Sequence, residues 1–517
     1  MLLHGHHRCL LSLCLFGLLM QSCSFNRGTA LNPAGEPSLS SQVAAKKEAR
    51  DNSLPCLRLV QMQGGRYLAD PSVVDYVEAV GNKLITHSDD VKISCRFTVV
   101  NDSIPDAWSL PDGNVAISRG LLVELNNEAE LAAVLSHEIA SIVSLNNFSE
   151  AEVITAVAVS NPTFSRAIGS GCASHKIRCR ACVEGFADAL AIKVMVAAGY
   201  DPQAALDYQQ RLWKLESSNE KWNGGFLATH PCSEERLAAL MAVVRSVPAG
   251  GYVGEENYQE KTRRLRTNNT SYSQLDLANK ALWEGKLDVA QHLAKEGREA
   301  TPQEGRFLWI LGRVCLQQMR YTEGITYFNQ ALVTDDQYFD YYLQRGICHL
   351  NLGNHKEALK DLRSSLALLP TADAHFHLGE LALEMGDRAA AGHHLLQASA
   401  SEGPLAALAA EQLAAMEIKE NPAKYVSLKA ALDKRGYLTI AAVNNSPVPV
   451  RNVVVSLRVV NAPNVRYSNK VIRFKDEIAS GKSSSSFTGI GPFDGKQHLK
   501  GCLEAIVVGA SPMMSVE

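Results

Sequence analysis

An internal repeat of 33 or 34 residues constrains the fold of this chain more than any other feature. The repeat begins near residue 271 and recurs at the same intervals in several registers. Two sets of equivalent positions hold small residues: Ala278, Gly312, Gly346 and Gly379, and Ala290, Gly324, Ala358 and Ala391. A third set is mostly glycine: Gly285, Met319, Gly353 and Gly386. A fourth set is large and apolar: Phe328, Leu362 and Leu395. Small residues let paired helices approach closely, and the large residues fill the space between them. We therefore predict an all-α solenoid.

This pattern resembles the tetratricopeptide repeat and predicts four units over residues 271–418. The resemblance implies a concave surface that takes up a peptide or a partner protein. A generic helical bundle is the alternative, but it would not give one period shared by several registers.

The remainder of the chain is predicted to be multidomain, because 517 residues exceed what one hydrophobic core usually supports. Residues 56–250 mix helical periodicity with an alternating strand pattern, which predicts an α+β domain. Residues 425–517 carry strand patterns at Tyr437–Val443 and Val453–Val460, which predict a small C-terminal β-sandwich that resembles immunoglobulin-like accessory domains of bacterial envelope proteins. The net charge of −3 provides no broad basic surface, so no nucleic-acid partner is expected.

The amino terminus predicts export. Its apolar run, Cys9–Met20, is too short to span a bilayer comfortably and is typical of a signal-peptide core. The segment Met20–Cys23 resembles a bacterial lipobox, so residues 1–23 are interpreted as a lipoprotein-type signal peptide with lipid attachment at Cys23. Residues 24–55 then form a polar tether. The resemblance implies a periplasmic protein anchored to the outer membrane of a bacterium, and an ordinary cleaved signal is the alternative.

The periodicity predicts a helix over Leu121–Val143, and the segment from Glu128 to Ser144 carries the main chemical signal. It contains His137, Glu138 and Ser141 within an apolar frame. A metallopeptidase helix places two histidines at i and i+4, so that both rings reach one zinc ion and the intervening glutamate polarises its water. Here the second histidine position is Ser141. A lone His-Glu pair is more often a surface pair, so the interpretation depends on the surrounding sequence.

Three further segments resemble the gluzincin-type zinc metallopeptidase family that includes HtpX, BepA and the CAAX-prenyl proteases. Ile104–Gly113 resembles the family's edge-strand segment, and Glu184–Asp188 matches its downstream Glu-x-x-Ala-Asp element. Thr229–Pro231, followed by Arg236, matches its Thr-His-Pro segment and arginine. In the BepA-like branch tetratricopeptide repeats follow the peptidase, as they do here. Residues 56–250 are therefore interpreted as a metallopeptidase-like domain.

The resemblance assigns roles to individual residues. It implies that His137 is the first zinc ligand, that Glu138 is the general base and that Glu184 is the carboxylate ligand. His230 is expected beside the zinc, where it stabilises the transition state or blocks the open position, and Asp188 is expected to orient a ligand or its neighbours. Read singly, Asp188 would be a helix-surface carboxylate and His230 a loop histidine.

Ser141 is the departure that weakens the predicted zinc site. A serine hydroxyl is a poor zinc ligand, so one imidazole and one carboxylate remain where zinc sites normally have at least three protein ligands. Asp106 and Asp112 also stand where the family has Asn and Gly. One zinc ion is still the expected cofactor, with its occupancy reduced by Ser141.

A cysteine cluster precedes Glu184. It consists of Cys172, His175, Cys179 and Cys182. These residues could lend a ligand to the zinc site or hold a metal of their own, but their Cys-x2-Cys pair lacks a second pair. One or two disulfides are the more common outcome in an oxidising compartment.

Two functions follow from these observations. In the first, the chain is a periplasmic, membrane-anchored metalloendopeptidase of the BepA-like family that acts in envelope protein quality control or assembly, with catalysis impaired by the lost ligand. In the second, it is a pseudopeptidase chaperone or assembly scaffold. Both predict that the repeats bind unfolded or assembling envelope proteins.

Overall fold

The structure, a computed structural model, describes residues 56–87, 93–147, 180–216, 230, 233–460, 469–493 and 503–513. The predicted signal peptide with Cys23 and the predicted tether lie outside these residues, and so do Cys172, His175 and Cys179. The chain divides into two compact units, residues 1–344 and 345–517.

The first unit begins with a mixed α/β region. Its elements are α1 (Pro71–Thr86), β1 (Arg96–Val100), β2 (Ala107–Ser109), β3 (Asn114–Ser118), α2 (Arg119–Glu124), α3 (Glu128–Asn147), α4 (Arg180–Ala197), α5 (Gln203–Glu216), α6 (Glu234–Arg245) and α7 (Glu255–Thr267). Strand β3 lies between β1, with which it pairs in parallel, and β2, with which it pairs antiparallel. The predicted mixed α/β architecture is confirmed, and β2 lies at an edge of its sheet.

The helix that carries the chemical signal begins later than its periodicity predicts. The apolar pattern predicts one helix over Leu121–Val143, but α2 ends at Glu124 and α3 begins at Glu128. Leu125 is extended, and the Asn127 Oδ1 accepts a hydrogen bond from the Glu130 backbone N–H at 2.9 Å. Asparagine at this position caps a new helix by satisfying an otherwise unpaired N–H group. The local side-chain hydrogen bond therefore overrides the continuous apolar pattern.

The repeat region is helical throughout, as predicted. Its helices are α8 (Asn269–Trp283), α9 (Leu287–Ala300), α10 (Gly305–Gln317), α11 (Tyr321–Thr334), α12 (Phe339–Asn351), α13 (His355–Leu368), α14 (Ala372–Glu384), α15 (Arg388–Ser399) and α16 (Pro404–Glu417). A Cβ atom on Gly312 would lie 2.6 Å from the Phe328 ring, and one on Gly379 would lie 2.9 Å from Leu395. The small register therefore admits the large one, and the predicted solenoid is confirmed.

The last hundred residues form two sheets after the short helix α17 (Pro422–Tyr425). The strands are β4 (Val426–Leu432), β5 (Leu438–Asn444), β6 (Val450–Val459), β7 (Asn469–Phe474), β8 (Ser483–Phe487) and β9 (Leu503–Pro512). The sheets are antiparallel, in the orders β4-β5-β8 and β7-β6-β9. Side chains from both sheets, including Ile440, Val455 and Phe474, belong to one buried cluster. The two predicted strand patterns overlap β5 and β6.

Two findings apply to the described part of the chain alone. None of the helices described there is both long enough and apolar enough to cross a bilayer. In that part, Cys56, Cys95, Cys315 and Cys348 form no disulfide bond.

The turn between paired helices generates a stability prediction. Gly285, Gly353 and Gly386 adopt φ of 72°, 72° and 77°, and the equivalent residue, Met319, adopts φ of 59°. A side chain in this left-handed region costs about 1 kcal/mol, and Met319 is 75% exposed, so little packing opposes its removal. We expect Met319→Gly to raise the free energy of unfolding by up to about 1 kcal/mol. The gain is reduced because glycine gives the unfolded chain more conformational entropy. Urea denaturation measures the change.

The reverse substitution, Gly353→Met, serves as the control. It is expected to destabilise the chain by a similar amount, because open space surrounds Gly353 and the strain lies in the backbone. If Met319→Gly lowered the free energy of unfolding, a contact of the Met319 side chain would have to outweigh the strain.

Candidate metal centre

Helix α3 is anchored at its amino-terminal end by one buried carboxylate. Glu128 accepts hydrogen bonds from the Tyr76 hydroxyl at 2.9 Å, the Tyr200 hydroxyl at 2.7 Å and the Asn257 side chain at 2.6 Å. A negative charge in the first turn also interacts favourably with the helix dipole. Since these partners belong to α1, to the residues after α4 and to α7, the start of α3 is held from three sides.

Three side chains that can bind a metal converge on the middle of α3. The ligand atoms of His137, Glu184 and His230 all lie within 4.8 Å of one another. The His137 Nε2 lies 3.4 Å from the Glu184 Oε2, and the His137 and His230 rings pack edge to face with centroids 4.9 Å apart. The structure thus brings together residues that are 47 or 46 positions apart in sequence.

Ser141 takes no part in this group. Its hydroxyl donates to the His137 backbone carbonyl at 3.0 Å, one turn earlier in the same helix. The hydroxyl proton is used within the helix, and the neutral oxygen that carries it is a poor zinc ligand. His230, which reaches the group from outside α3, is the second imidazole of the cluster.

Asp188 and Arg236 support the cluster from behind. The His137 Nδ1 lies 2.9 Å from the Asp188 Oδ1, and the Arg236 Nε donates to the Asp188 Oδ2 at 2.7 Å. The Arg236 Nη1 also lies 3.1 Å from the Glu184 Oε2. All of these groups are at least nine-tenths buried except Glu184, which is slightly more exposed. Asp188 therefore contacts both the His137 ring and Arg236, whose positive charge lies between the two carboxylates.

The pKa values follow from burial and these ion pairs. Burial alone would lower the pKa of His137, but the Asp188 and Glu184 carboxylates raise it to about 10. Burial would raise the pKa of Asp188, yet Arg236 and His137 hold it well below its usual range. Burial, together with the positive charge of His137, lowers the pKa of His230 to about 3. Two differently charged imidazoles thus lie side by side.

Glu138 lies between the cluster and the edge strand. Its Oε2 accepts a hydrogen bond from the Ser109 hydroxyl at 2.8 Å, and its Oε1 lies 3.4 Å from the His230 Nε2. Burial raises the pKa of Glu138, although His137 and Ser109 act in the opposite direction. A raised pKa suits a carboxylate that accepts and returns a proton. Sequence reasoning missed Ser109, which its place in the segment before β3 could have indicated.

Asp106 lies at the start of the edge strand. Its Oδ2 accepts a hydrogen bond from the Gln63 side chain at 3.1 Å, whereas its Oδ1 is buried without a hydrogen bond. Burial, reinforced by the nearby charges of Asp102 and Glu138, raises the pKa of Asp106 to about 8. At neutral pH this carboxyl group is therefore mostly protonated and resembles the asparagine of the family pattern in shape and charge.

The chemistry of the cluster fits a zinc ion. Two imidazoles and a carboxylate are standard zinc ligands, and on a tetrahedral ion with bonds of about 2.1 Å two ligands lie about 3.4 Å apart. That is the separation between His137 and Glu184. Both atoms are buried, and neither completes a hydrogen bond of normal geometry. The residues present can therefore hold one ion.

The cysteine cluster cannot be placed beside this site. Cys172, His175 and Cys179 lie outside the described residues, and for Cys182 the structure describes the helix but not the side chain. Disulfide formation and metal binding by this cluster therefore stay predictions.

Comparison with known families agrees with the geometry. Residues 71–244 match Peptidase family M48. This segment is an M48 peptidase domain. Residues 275–340 and 343–407 match the tetratricopeptide repeat, so the M48 domain is followed by repeats. The M48 metallopeptidases depend on zinc, which is consistent with the His137, Glu184 and His230 cluster.

Two curated relatives match part of the chain. The chain is 26% identical over 235 residues to the beta-barrel assembly-enhancing protease of Escherichia coli K12, covering 42% of this chain and 48% of that one. It is 31% identical over 178 residues to the mitochondrial metalloendopeptidase OMA1 of Schizosaccharomyces pombe, covering 32% of this chain and 51% of that one. The chain thus spans about half the length of the curated relatives it matches.

A solved structure also resembles part of the chain. A tetratricopeptide repeat protein of Thermus thermophilus is 21% identical, with coverage of 29% of this chain and 81% of that one and a TM-score of 0.26. This likeness is too low to carry an argument. The identification of the repeats rests on their sequence pattern and the family match.

The ion pairs behind the M48 cluster generate the second prediction. Arg236→Leu removes the guanidinium that pairs with the buried Asp188 and Glu184 carboxylates, and breaking a buried pair typically costs about 3–5 kcal/mol. We expect the midpoint of urea denaturation to fall accordingly. Arg320→Leu is the matched control, because Arg320 pairs with Glu323 on the surface and little change is expected. Equal effects of both substitutions would contradict a structural role for Arg236.

Asp106 generates a pH prediction. Its pKa in the folded chain, about 8, exceeds the ordinary value of 3.8. The folded state therefore favours the protonated form, and stability is lost as the pH rises through the interval from about 4 to about 8. Asp106→Asn removes this loss, so the variant should gain stability relative to the natural protein as the pH rises. Urea denaturation at pH 5 and pH 8 tests this, and parallel pH dependence in the two proteins would contradict it.

Proposed function

We propose that this chain is a zinc-dependent endopeptidase of the bacterial cell envelope whose zinc ion is held by His137, Glu184 and His230. The observation that carries the proposal is the convergence of these three ligand atoms within 4.8 Å in an M48 domain. His230 replaces the imidazole that Ser141 lacks. Three protein ligands leave one position open, which is the arrangement of catalytic zinc sites.

The residues of the chain have separate tasks in this proposal. When bound, zinc supplies a Lewis acid that polarises the scissile carbonyl and activates water. Glu138 accepts the proton from the attacking water and returns it to the leaving amine, while Ser109 fixes the orientation of the carboxylate. Asp188 holds the His137 ring in the tautomer that directs Nε2 into the cluster. Strand β2 lies at the sheet edge, where an extended substrate can add as a further strand.

Catalysis is proposed to be weaker than in a site with two helix histidines. His230 acts as a zinc ligand and therefore cannot also stabilise the transition state. It also reaches the cluster from a separate segment rather than from α3. The alternative, a pseudopeptidase that binds clients without cutting them, is favoured by the closed ion pairs of His137 with Asp188 and Glu184. A zinc ion has to displace the proton from His137 to bind.

The location and the remaining parts of the chain complete the proposal. Residues 1–23 are proposed to be a lipoprotein signal peptide, with Cys23 as the lipid attachment site on the outer membrane and residues 24–55 as the tether. The four repeats over residues 271–418 are proposed to recruit unfolded or assembling envelope proteins to the domain at residues 56–250. The two C-terminal sheets over residues 425–517 are proposed to form an immunoglobulin-like sandwich. The similarity to the beta-barrel assembly-enhancing protease supports an envelope role.

Zinc content tests the proposed ligand set. The full chain, purified without chelators and analysed by mass spectrometry for metals, is expected to lose one zinc ion per chain on His230→Ala or Glu184→Ala. Ser141→Ala should leave the content unchanged, because the hydroxyl bonds to its own helix. His292→Ala is the matched control, since His292 is an exposed histidine that pairs only with the nearby Glu296 among the described ion pairs.

Activity then separates the two functions. Glu138→Gln should keep zinc and reduce cleavage of an internally quenched unfolded peptide by about 10²–10⁴-fold. If the natural protein holds no zinc at this site and Ser141→His acquires both zinc and activity, the chain is a binding protein with the M48 fold. Retention of zinc by His230→Ala would refute the ligand set.

A further inference from the structure

The fourth repeat contains a histidine cluster that the M48 chemistry does not use. His375 on α14 and His394 on α15 direct their Nδ1 atoms at each other, 3.0 Å apart. Their ring centroids are 5.2 Å apart, and the exposed His393 ring lies 5.2 Å from that of His394. Three imidazoles therefore share one patch across the two helices of a single repeat.

The packing of the repeat fixes this geometry. Gly379 has no Cβ to keep α14 away from Leu395, and Ala391 is fully buried. The close approach of the two helices sets the positions of His375 and His394, four residues before Gly379 and one residue before Leu395. The two rings are half-buried and therefore keep access to solvent. The pair is thus preorganised by the same small residues that define the repeat.

The distance between the two nitrogens suits two ligands of one metal ion. With metal–nitrogen bonds of about 2.0–2.1 Å, nitrogens 3.0 Å apart subtend about 91–97° at the metal, close to the angle between adjacent ligands in octahedral or tetragonal coordination. Imidazole is a preferred ligand of Ni²⁺, Cu²⁺ and Zn²⁺. His393, which is exposed, can supply a third nitrogen by rotating its side chain, and water can fill the remaining positions.

The charge state of the cluster is compatible with metal binding. Burial first, and then the neighbouring His393, lower the pKa of His375; burial and then His375 lower the pKa of His394. Both rings are therefore neutral at neutral pH, with lone pairs that can bind a cation. The guanidinium of Arg363 on α13 acts against a cation, since its charge also lowers the pKa of His394. Without a metal, one proton shared between the Nδ1 atoms gives a single hydrogen bond.

We propose that His375 and His394, with His393 as a third ligand, form a binding site for a late first-row transition metal ion, with Ni²⁺, Cu²⁺ and Zn²⁺ as the ions it takes. The site links α14 to α15 within the fourth repeat. A bound ion replaces the single hydrogen bond by two or three metal bonds and so stabilises the repeat. It is separate from the M48 cluster, which lies in the other unit.

The test compares Ni²⁺ binding by the full chain and by the double variant His375→Gln/His394→Gln. Isothermal titration calorimetry with Ni²⁺ should find one ion more per chain in the natural protein, and Ni²⁺ should raise its Tm more than that of the variant. His355→Gln is the matched control, because His355 lies on α13 of the same unit and pairs with Glu384. It is expected to retain the additional ion.

A second variant makes the result independent of packing. His393→Gln changes an exposed side chain and is expected to weaken Ni²⁺ binding at the additional site by roughly tenfold or more, since even an outer partner of a metal ligand is worth that much. Equal Ni²⁺ stoichiometry in the natural protein and the double variant overturns the proposal. If the double variant fails to fold, unchanged affinity in His393→Gln and no Ni²⁺-dependent rise in the Tm of the natural protein overturn it. His230→Ala leaves this site intact, so the proposal for the histidine cluster and the proposal for the M48 cluster are tested independently.

Discussion

The Asp188 carboxylate is the interaction on which the rest of the site depends. Both of its oxygens accept hydrogen bonds from the Arg236 guanidinium, and its Oδ1 also lies 2.9 Å from the His137 Nδ1, so it joins α3, α4 and α6. Buried charges of this kind are costly unless they are paired, so the three groups have to stay together. The pairing fixes the direction of the His137 ring and therefore the position at which a zinc ion can bind. Glu184, one turn earlier on α4, is held at the same place by Arg236.

A second buried charge joins the M48 domain to the first repeats. Arg119, at the start of α2, donates to the Asn101 side chain at 2.8 Å, and its guanidinium lies 3.8 Å from the centroid of the Tyr272 ring on α8. Asn101 in turn donates to the Glu304 carboxylate at 2.9 Å, and its carbonyl accepts from Arg306 at 2.6 Å. Asn101 follows β1 and precedes the edge strand β2. The first repeats therefore contact the M48 domain on the segment that leads to the proposed substrate edge.

Ser141 stands where a second histidine of α3 would bind zinc, and the fold brings another imidazole to the same place. Helix geometry alone places two zinc ligands together, because positions i and i+4 share a face. With Ser141 at the second position, α3 offers only one imidazole. In the proposed site His230 supplies the third ligand from a separate segment, so its position depends on tertiary packing, and burial lowers the pKa of its ring. The same packing brings Ser109 to Glu138. The proposed zinc binding and catalysis thus depend more on the tertiary fold than they would with a complete helix motif.

The sequence by itself determined the parts whose signals are local or periodic. The repeat registers specified the solenoid, because a fixed period demands that each unit pack like the next, and the motif order specified the M48 domain and suggested candidate residues for its site. The sequence did not reveal the break before Glu128, because a side-chain cap at Asn127 opposes the apolar pattern. It also did not reveal that His230 joins His137 and Glu184 as a third member of one cluster, that Ser109 contacts Glu138, or that His375 faces His394. Only the tertiary structure decided these contacts, because each joins segments that no sequence period relates and that meet through packing.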